Sequence, residues 1–402
     1  MYFFLKRIKL LKMSLSFSNK SFMKIREPFF VFRQETLDQS IKNFVDGFPG
    51  KIAYSVKTNP SKFLIESLYN NGIKSFDVAS INEVRLLKNI FVDSEIFYMN
   101  PVKSRTSISE AYFKYKVKNF CIDSLNEFKK ILQETDDAND LIIHIRISVP
   151  NKYAKVKLLD KFGISPSSAK LLIKEVKKKA FKIGLCFHPG SQCMSPLAYL
   201  VPMEKILVIT KILGIKIDYL NIGGGFPSTY IDMNPPPLKE YFSIIKKKFN
   251  DFQMNEDIVL MCEPGRSIVS KCMSLIVKVE LRKGNKLYIN DGIYGNLGDV
   301  GKNNFIYPVR LISKKKSMLD KVPFSFFGPT CDSRDFIRGP FYLPENIKEG
   351  DYIEIEQMGA YSHTMKTNFN GFLSQSKVFY VDEKPITDID FFFKKKIKKE
   401  LV

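Results

Sequence analysis

Apolar and polar residues alternate along the chain in two different ways, and the change lies near residue 270. Before it, short apolar runs rich in β-branched and aromatic residues alternate with longer stretches whose apolar residues recur at three- and four-residue spacing. The short runs predict buried strands, and the longer stretches predict amphipathic helices. The predicted strands are KIAYSVK, SFDVAS, EIFYMNP, NFCIDS, DLIIHIRI, KIGLCFHPG, YLNIGGGF and DIVLMCEPGR.

The helical stretches include several that begin near Ser or Asp and end near Gly or Asn, which are common caps. Eight strand–helix units in this length predict a (β/α)8 TIM barrel. An open doubly wound sheet would alternate similarly, but no GxGxxG follows the first strand, so a dinucleotide-binding fold is the weaker interpretation. Clear examples of the helical pattern are SKFLIESLYNNG, INEVRLLKNIF, LNEFKKILQET and SSAKLLIKEVKKKA.

After about residue 270 the apolar residues alternate at period two between Gly and Asn turns, as in MSLIVKVELRKGNKLYINDG, DYIEIEQMGAYSHTM and KVFYVDE. This pattern predicts a C-terminal antiparallel β domain. We therefore expect three regions. They are an extension over residues 1–27, a barrel over 28–270 whose first strand can join the β domain, and a β domain with a basic tail over 271–402.

The composition is that of an ordinary soluble protein, with 45% hydrophobic and 26% charged residues, but the formal net charge is +21. The excess lysines are scattered over helix faces such as KEVKKKAFK and over the tail FFFKKKIKKE. This distribution predicts solvated surfaces rather than a nucleic-acid site. No apolar run reaches the roughly 20 residues that span a bilayer, so we expect neither nucleic acid nor membrane as a partner.

Cysteine and histidine usage argues for a reduced compartment without metal. The six cysteines form no CxxC pair, so we expect a cytoplasmic protein, and His144, His188 and His363 are too far apart in sequence to suggest a zinc site. The basic, apolar N-terminus allows a targeting presequence or a weak signal peptide. It lacks a clean cleavage site, and Met13 and Met23 offer alternative starts, so we interpret it as a poorly structured extension.

Residues that can carry chemistry stand at the ends of the predicted strands, which meet on one rim in a parallel barrel. Each has a bland explanation, because lysines are usually solvated, a lone histidine is usually structural, a glycine triplet is usually a turn, and a Glu–Arg pair can be a simple ion pair. Their grouping on one rim is harder to explain in this way. In chain order they are Lys57, Asp77, Arg146, His188, Gly223, Gly224, Gly225, Glu263 and Arg266.

One cofactor, pyridoxal 5′-phosphate, would use this set together. Lys57 supplies the amine for a Schiff base, and Glu263 can keep the pyridine nitrogen protonated, so that the ring accepts electrons from a carbanion at the substrate Cα. The glycine triplet lets backbone N–H groups approach a phosphate near strands seven and eight, where barrels commonly bind one. Arg266 could add a cation there, His188 could stack on the ring, and Asp77 could position Lys57 or the ring.

The order of several motifs resembles that of the fold type III pyridoxal-phosphate decarboxylases, the group of ornithine and diaminopimelate decarboxylases. The resemblance runs from PFFVF to NFNGF, nearly the whole chain outside its two ends. It implies an enzyme that binds pyridoxal phosphate and forms a homodimer, in which a loop of one subunit reaches the active site of the other. The matching motifs are YSVKTNP, FDVAS, FHPGSQC, NIGGGFP, CEPGRSIV, NDGIYG, GPTCDSRD, MGAYS and FNGF.

The resemblance also implies roles for single residues. Lys57 would form the Schiff base, and Cys331 would protonate Cα after carbon dioxide leaves. On the residues alone, Cys331 could equally be an inert buried thiol, and Tyr361 a core aromatic. The implied cofactor contacts are Asp77, Arg146, His188, Ser191, Gly223, Gly224, Gly225, Glu263, Arg266 and Tyr361, and the implied substrate contacts are Tyr294, Asp332 and Phe369.

The substrate depends on the residue after Cys331. Asp332 offers a carboxylate for a distal ammonium, or it only caps a turn. The motif CDSRD looks like the ornithine and lysine side of the family, whereas diaminopimelate decarboxylases resemble CESxD. Animal ornithine decarboxylases carry a further acidic residue after NDGxYG, and Asp299 lies nearby but cannot be matched to it.

These considerations predict decarboxylation of L-ornithine to putrescine, with lysine and cadaverine as a second pair. Glu263 and Cys331 argue against a racemase of the same family. Three alternatives stay open: a decarboxylase of diaminopimelate or another diamino acid, a regulatory binding homologue without activity, and a nucleic-acid-binding protein suggested by the charge.

Overall fold

The computed structural model describes most of the chain outside its two ends. The predicted extension lies almost wholly outside the described residues, as does most of the basic tail. The described ranges are 26–158, 161–252, 257–303, 305–312, 320–372, 376–381 and 400–401.

The chain enters the structure with strand β1 (Phe29–Arg33) and then forms a closed barrel of eight parallel strands. Every barrel strand lies within one of the eight predicted runs, so the predicted barrel is confirmed. A separate antiparallel ribbon is formed by β7 (Ala154–Val156) and β9 (Ser191–Cys193). The barrel strands are β2 (Lys51–Ser55), β3 (Ser75–Val78), β4 (Glu95–Tyr98), β5 (Asn119–Ile122), β6 (Ile142–Arg146), β8 (Lys182–Cys186), β10 (Tyr219–Asn221) and β11 (Val259–Cys262).

Helices surround the barrel, and several begin at a serine whose hydroxyl accepts a backbone N–H three residues later. Ser80, Ser124 and Ser165 act in this way, which satisfies one of the free N–H groups at each helix start. The helices are α1 (Gln34–Gly47), α2 (Lys62–Asn70), α3 (Ile81–Ile90), α4 (Arg105–Ser109), α5 (Leu125–Glu134), α6 (Pro166–Lys177), α7 (Leu197–Leu213), α8 (Leu238–Phe249), α9 (Arg266–Val269) and α10 (Gly298–Asn303).

The interior of the barrel is filled by side chains that point inward from its strands. They include small and sulfur-containing residues as well as aromatic rings, so the barrel is a packed core rather than a channel. His144 lies among them, with its ring centroid 5.6 Å from that of Phe97 and 5.3 Å from that of Tyr219. The buried cluster consists of Ala53, Phe97, Met99, Cys121, Cys186, Tyr219 and Met261.

The C-terminal part of the described chain forms a nine-stranded sheet that includes β1. The order along the sheet is β16–β15–β13–β12–β1–β18–β19, and β17 pairs with both β12 and β14. These strands are β12 (Met273–Lys283), β13 (Lys286–Ile289), β14 (Val309–Ile312), β15 (Lys321–Phe327), β16 (Phe336–Pro344), β17 (Tyr352–Ile355), β18 (Val378–Val381) and β19 (Glu400–Leu401).

The prediction of a barrel followed by a β domain is confirmed, but the sheet is mixed rather than wholly antiparallel. β1 is antiparallel to β12 and parallel to β18, and β13 is parallel to β15. Parallel neighbours need a crossover connection. For β1 and β18 that connection contains the whole barrel, and for β13 and β15 it contains α10 and β14.

Two findings concern only the residues that the structure describes. No helix there is long and apolar enough to cross a membrane. No three side chains of His, Cys, Asp or Glu there are grouped so that they could hold a metal ion.

Candidate active site

Lys57 stands at the mouth of the barrel. β2 ends at Ser55, and one turn of 3-10 helix (Val56–Thr58) follows. The Lys57 side chain is 46% exposed, and its Nζ lies 3.9 Å from Oδ2 of the buried Asp77 at the end of β3. Ser55 Oγ donates a hydrogen bond to the same oxygen at 2.6 Å. The amine is therefore accessible from the barrel mouth and lies beside an anion that is fixed in place.

Charges from several strand ends act on this amine. The surrounding protein lowers the pKa of Lys57 by desolvation, but the charges of Asp77, Tyr361 and Glu263 outweigh this effect, so the pKa lies above its ordinary value. The charge of Arg146 acts in the opposite direction. The structure thus brings residues from β2, β3, β6, β11 and the β domain to one amine, as their positions at the strand ends predicted.

Glu263 follows β11 directly and is buried. Asn221, the last residue of β10, donates its side-chain N–H to Glu263 Oε1 at 2.6 Å. Burial first, and then the negative charge of Asp77, raises the pKa of Glu263 to about 8. No ion pair to Glu263 occurs among the described residues, so a bound cation would restore the ionised carboxylate. Asn221 is a site residue that the sequence analysis missed, although it too lies at a strand end.

His188 provides a neutral ring at the same rim. Burial, and then the positive charges of Lys57 and Arg146, hold the pKa of His188 well below its ordinary value. Its Nδ1 accepts a hydrogen bond from the backbone N–H of Gly190 at 3.2 Å. The proton of the neutral ring therefore resides on Nε2. An uncharged imidazole of this kind can lie flat against another aromatic ring.

The glycine triplet at 223–225 forms a tight loop after β10. Gly223 and Gly225 have φ angles of +71° and +92°, which favour glycine. A Cβ on Gly224 would lie 2.6 Å from the backbone oxygen of the residue after β11, so no larger residue fits without a shift. The backbone of β9 donates a hydrogen bond to the Gly225 carbonyl at 2.9 Å. The triplet and Ser191 of β9 are therefore neighbours.

Arg266 lies at the start of α9 and is buried. Its Cζ atom is 5.3 Å from the ring centroid of Phe305 and 5.0 Å from that of Tyr361. Its Nη1 donates to Asp299 Oδ2 at 2.7 Å and to the Tyr230 hydroxyl at 2.9 Å, and its Nη2 donates to Asp299 Oδ1 at 3.1 Å. The structure thus shows a role for Asp299 that could not be predicted from the sequence. It is the buried counter-ion of Arg266.

Three buried polar atoms near α9 have no hydrogen-bond partner among the described residues. They are Thr58 Oγ1, Arg266 Nε and Ser267 Oγ. Buried polar atoms are almost always bonded, so this group is unusual, and unpartnered hydroxyl and guanidinium groups suit an anionic phosphate. The backbone N–H of Tyr361 donates to the Thr58 carbonyl at 3.0 Å, which ties the β domain to this corner. Thr58 and Ser267 adjoin residues that the sequence analysis selected, and this adjacency could have identified them.

A second set of predicted residues, here called the loop group, consists of Tyr294, Cys331, Asp332 and Phe369. The Tyr294 hydroxyl donates to Asp332 Oδ2 at 2.5 Å, and its ring centroid lies 4.7 Å from that of Phe369. Cys331 is exposed rather than buried, unlike the chain's other five cysteines. In the described part of the chain, no hydrogen bond or ion pair joins the loop group to the residues of the barrel mouth.

Asp332 is paired within its own loop. The Arg334 backbone N–H donates to Oδ1 at 2.9 Å, which makes Asp332 a turn cap, as one interpretation of the sequence held. The Arg334 side chain donates from Nη2 to Oδ2 at 2.7 Å and from Nε to both oxygens at 3.1 and 3.2 Å. The Arg334 side chain, and then the Tyr294 hydroxyl, hold the pKa of Asp332 well below its ordinary value. Arg334 is not among the site residues predicted from the sequence.

A cavity of about 320 Å³ lies beside the loop group. Tyr294, Phe369 and Phe372 contribute aromatic surface to its wall, and Asp291 and Asp335 contribute carboxyl groups. The carboxylates of Asp335 and Asp291 are occupied, because Asp335 accepts the backbone N–H of residue 293 at 2.8 Å and Asp291 accepts the side-chain N–H of residue 296 at 2.7 Å. Glu27 also lines the cavity. The aromatic wall can therefore contact a methylene chain, and Asp332 lies next to it.

Comparison with known proteins identifies the family. A model described as "Pyridoxal-dependent decarboxylase, pyridoxal binding domain" matches residues 34–270. The chain belongs to the pyridoxal-dependent decarboxylases. The family, the amino-acid decarboxylase activity and the cofactor predicted from the sequence are thereby confirmed.

Proteins similar to this decarboxylase have different named activities. It is 30% identical over 373 residues to a lysine/ornithine decarboxylase of Selenomonas ruminantium, covering 90% of the chain and 91% of the relative. It is 31% identical over 379 residues to antizyme inhibitor 2 of Xenopus laevis, covering 88% and 81%. Its structure matches that of diaminopimelate decarboxylase from Helicobacter pylori in complex with L-lysine, with a TM-score of 0.78 and 25% identity, covering 91% and 94%.

The residues of the barrel mouth fit pyridoxal phosphate. Lys57 offers an accessible amine, and Glu263 is a buried carboxylate that lacks a cation, which a protonated pyridine nitrogen would supply. The unpartnered Nε of Arg266 and the backbone N–H groups of Gly224 and Gly225 are donors of the kind that a phosphate needs, whereas the N–H of Gly223 already donates to Asn221 Oδ1 at 2.9 Å. When bound, the cofactor provides an electron sink for a carbanion at the substrate Cα.

Proposed function

We propose that this decarboxylase converts L-ornithine to putrescine and accepts L-lysine, giving cadaverine, as a second substrate. The observation that carries the proposal is the ionised Asp332, which follows Cys331 and lies beside the aromatic cavity wall. A carboxylate at this place attracts a distal ammonium, while the rings of Tyr294 and Phe369 contact the methylene groups. The likeness to the lysine/ornithine decarboxylase of Selenomonas ruminantium supports the same substrates.

In this proposal each residue of the barrel mouth has one task. Lys57 would hold the cofactor through its amine, which Asp77 orients. Glu263 would pair with the pyridine nitrogen, and the neutral His188 would pack against the ring. Arg146 balances the carboxylates of this rim, since its positive charge acts on both Lys57 and Glu263.

The residues that would hold the phosphate lie at the corner between the glycine loop and α9. Ser191, Gly224 and Gly225 would provide donors from one side, and Gly223 shapes the loop. Arg266 and Tyr361 provide them from the other, where Asp299 fixes the guanidinium. Cys331 Sγ would give its proton to the substrate Cα, at the cofactor end of the substrate, after carbon dioxide has left.

We infer a homodimer, because one chain alone does not join the two halves of the site. Cys331 must come into contact with Cα to protonate it, yet in the described residues the loop group makes no hydrogen bond or ion pair to the barrel mouth. A loop supplied by a second copy would satisfy this need, as the family resemblance implies.

The dimer can be tested by mixing two variants that are each impaired in turnover, with activity measured above that of either variant alone. Lys57→Ala and Cys331→Ala chains that are unfolded and refolded together form mixed dimers with one intact site. Random mixing should restore about a quarter of the wild-type activity if each site uses both chains. If each chain carries its own complete site, mixing restores nothing, and this outcome would refute the shared site.

The substrate is tested on the holoenzyme with L-ornithine, L-lysine, L-arginine and diaminopimelate in parallel, with identification of the amine formed. We expect the highest kcat/KM for ornithine. Asp332→Asn should raise KM for ornithine with a smaller effect on kcat, because it weakens the distal contact. Asp351→Asn is the matched control, since Asp351 also caps a turn of the β domain, by accepting a backbone N–H at 2.8 Å. Lysine formed from diaminopimelate as the sole product would refute the proposal.

A second candidate, diaminopimelate decarboxylase, is favoured by one observation. The Arg334 guanidinium next to Asp332 could bind a distal carboxylate while Asp332 binds the neighbouring ammonium. The match to the Helicobacter pylori structure agrees with it. The same product assay separates the two candidates, because only diaminopimelate yields lysine.

The alternative of a regulatory binding protein without activity is supported by one observation, the similarity to antizyme inhibitor 2. Against it, this chain retains an accessible Lys57 and an unpaired, buried Glu263, both of which the cofactor uses. The visible absorbance of the purified protein tests this point directly. A colourless protein that does not take up added pyridoxal phosphate would favour the regulatory interpretation.

A further inference from the structure

Asp332 has little acceptor capacity left for a substrate. A carboxylate has about four lone-pair positions. Oδ1 accepts from the backbone N–H and the Nε of Arg334, and Oδ2 accepts from the Tyr294 hydroxyl and from Nε and Nη2 of Arg334. A substrate ammonium can therefore reach this carboxylate fully only if the guanidinium of Arg334 leaves.

The two partners differ in how easily they can move. The Arg334 side chain is 79% exposed, whereas that of Asp332 is only 14% exposed. Asp332 is held by the turn and by Tyr294, so the arginine is the partner that can swing into water. Exposed ion pairs contribute little to stability, so this displacement needs little free energy. The guanidinium stays charged at every working pH, so it competes at all times.

We propose that Arg334 is a specificity-determining residue that competes with the distal ammonium of the substrate for Asp332. This inference rests on the proposed function, since it requires a diamino acid as substrate. The competition weakens the binding of every ligand that ends in a simple ammonium, including the diamine product. It leaves the chemistry at Cα untouched, because the Arg334 side chain interacts with Asp332 and Tyr294, at the distal end of the proposed substrate site.

Arg334 has a different effect on a substrate that carries a carboxylate next to its distal ammonium. Such a group can accept the hydrogen bonds that Arg334 gives up when the ammonium takes its place. Diaminopimelate carries this arrangement, whereas ornithine and lysine do not. Arg334 therefore narrows the difference in binding affinity between the simple diamino acids and diaminopimelate. Its removal should widen that difference in favour of ornithine.

The test compares Arg334→Ala with wild-type holoenzyme. KM for L-ornithine and for L-lysine should fall about two- to fivefold, the range that exposed ion pairs reach, with kcat unchanged. The dissociation constant of putrescine, measured by titration calorimetry, should fall by the same factor. Arg334→Lys should have KM values and a putrescine dissociation constant between those of the wild type and Arg334→Ala, because lysine keeps the charge but loses the bidentate contact.

Arg338→Ala is the matched control, because Arg338 is an exposed residue of β16 in the same region and its loss changes the net charge equally. It should leave KM and the putrescine affinity unchanged. An equal drop in KM for Arg338→Ala would mean that the loss of one positive charge in this region, and not the contact with Asp332, lowers KM. That result would overturn the proposal. An unchanged or higher KM in Arg334→Ala would also overturn it, while ornithine turnover by the wild type would leave the proposed function standing. Wild-type protein that turns over neither ornithine nor lysine would refute the proposed function, and this inference with it.

Discussion

His144 should make the fold sensitive to acid. The residue is fully buried inside the barrel, between the rings of Phe97 and Tyr219. Its Nε2 lies 3.2 Å from Asn119 Oδ1, and its Nδ1 has no partner among the described residues. Burial lowers the pKa of His144 from its ordinary value of 6.5 to about 3. The folded protein therefore holds this ring neutral across the range in which the unfolded chain protonates it.

The size of the effect follows from the two pKa values. A lowered pKa means that the unfolded state binds more protons between about pH 6.5 and 3, so the stabilisation is complete above pH 6.5 and is lost as the pH falls. At pH 5 the loss from His144 amounts to about 2 kcal/mol, and it barely depends on the folded pKa, since the folded ring is neutral there. His188 and His363 also have lowered pKa values, that of His363 about 4, so they steepen the same loss.

His144→Gln isolates this contribution, because glutamine stays neutral and can still bond to Asn119. We expect the free energy of unfolding to fall by about 2 kcal/mol less between pH 7.5 and pH 5 in the variant than in the wild type. Urea unfolding followed by circular dichroism measures it, at one protein concentration and with excess cofactor, because the proposed dimerisation and cofactor binding would both shift stability.

The comparison uses a difference between two pH values, so a uniform loss of stability caused by glutamine cancels. Ile143→Val is the matched control, because it shortens a fully buried neighbour on β6 and keeps His144. It should lower stability by about 1 kcal/mol at both pH values and retain the wild-type pH dependence. If His144→Gln loses as much stability as the wild type between the two pH values, the reasoning about the buried ring is wrong.

Three further predictions concern the active site. Lys57→Ala should abolish the visible absorbance of the bound cofactor while the far-ultraviolet circular dichroism is unchanged, and an unaltered absorbance would contradict its bond to the cofactor. Cys331→Ala should lower kcat or divert product toward decarboxylation-dependent transamination while the cofactor stays bound, whereas unaltered kinetics would leave the thiol without a catalytic role. Asp299→Asn should cost about 3–5 kcal/mol in urea unfolding and weaken cofactor retention on dialysis, because it leaves Arg266 as a buried, uncompensated cation. Asp251→Asn, at an exposed ion pair, should cost less than about 1 kcal/mol, and equal losses in the two variants would refute the argument.

The barrel and its rim could be predicted because their signals are local. Apolar runs of strand length and the turn residues between them define the eight strands without knowledge of their partners. Lys57 lies two residues after β2, and Glu263 lies directly after β11. Since parallel strands bring their ends to one rim, position along the chain was enough to predict that these side chains would meet.

Contacts between distant segments could not be predicted in this way. The pairing of Asp299 with Arg266 depends on how the β domain docks on the barrel, which no local pattern encodes. The parallel pairing of β1 with β18 depends on the route of the whole chain between them. Arg334 is a different case, because an arginine two residues after an aspartate is a local turn signal, and the sequence could have identified it.

The position of β1 sets the order in which the molecule can be assembled. This strand lies in the middle of the sheet, but one neighbour is made only after the barrel is complete and the other near the end of the chain. Its four leading residues, Phe29 to Phe32, are apolar and buried in the finished protein. During synthesis these residues remain exposed to solvent until the neighbouring strands have been made, and this exposure favours aggregation or chaperone binding. A fragment cut at the end of the barrel would keep this strand without either neighbour, so the two parts of the chain should be expressed together.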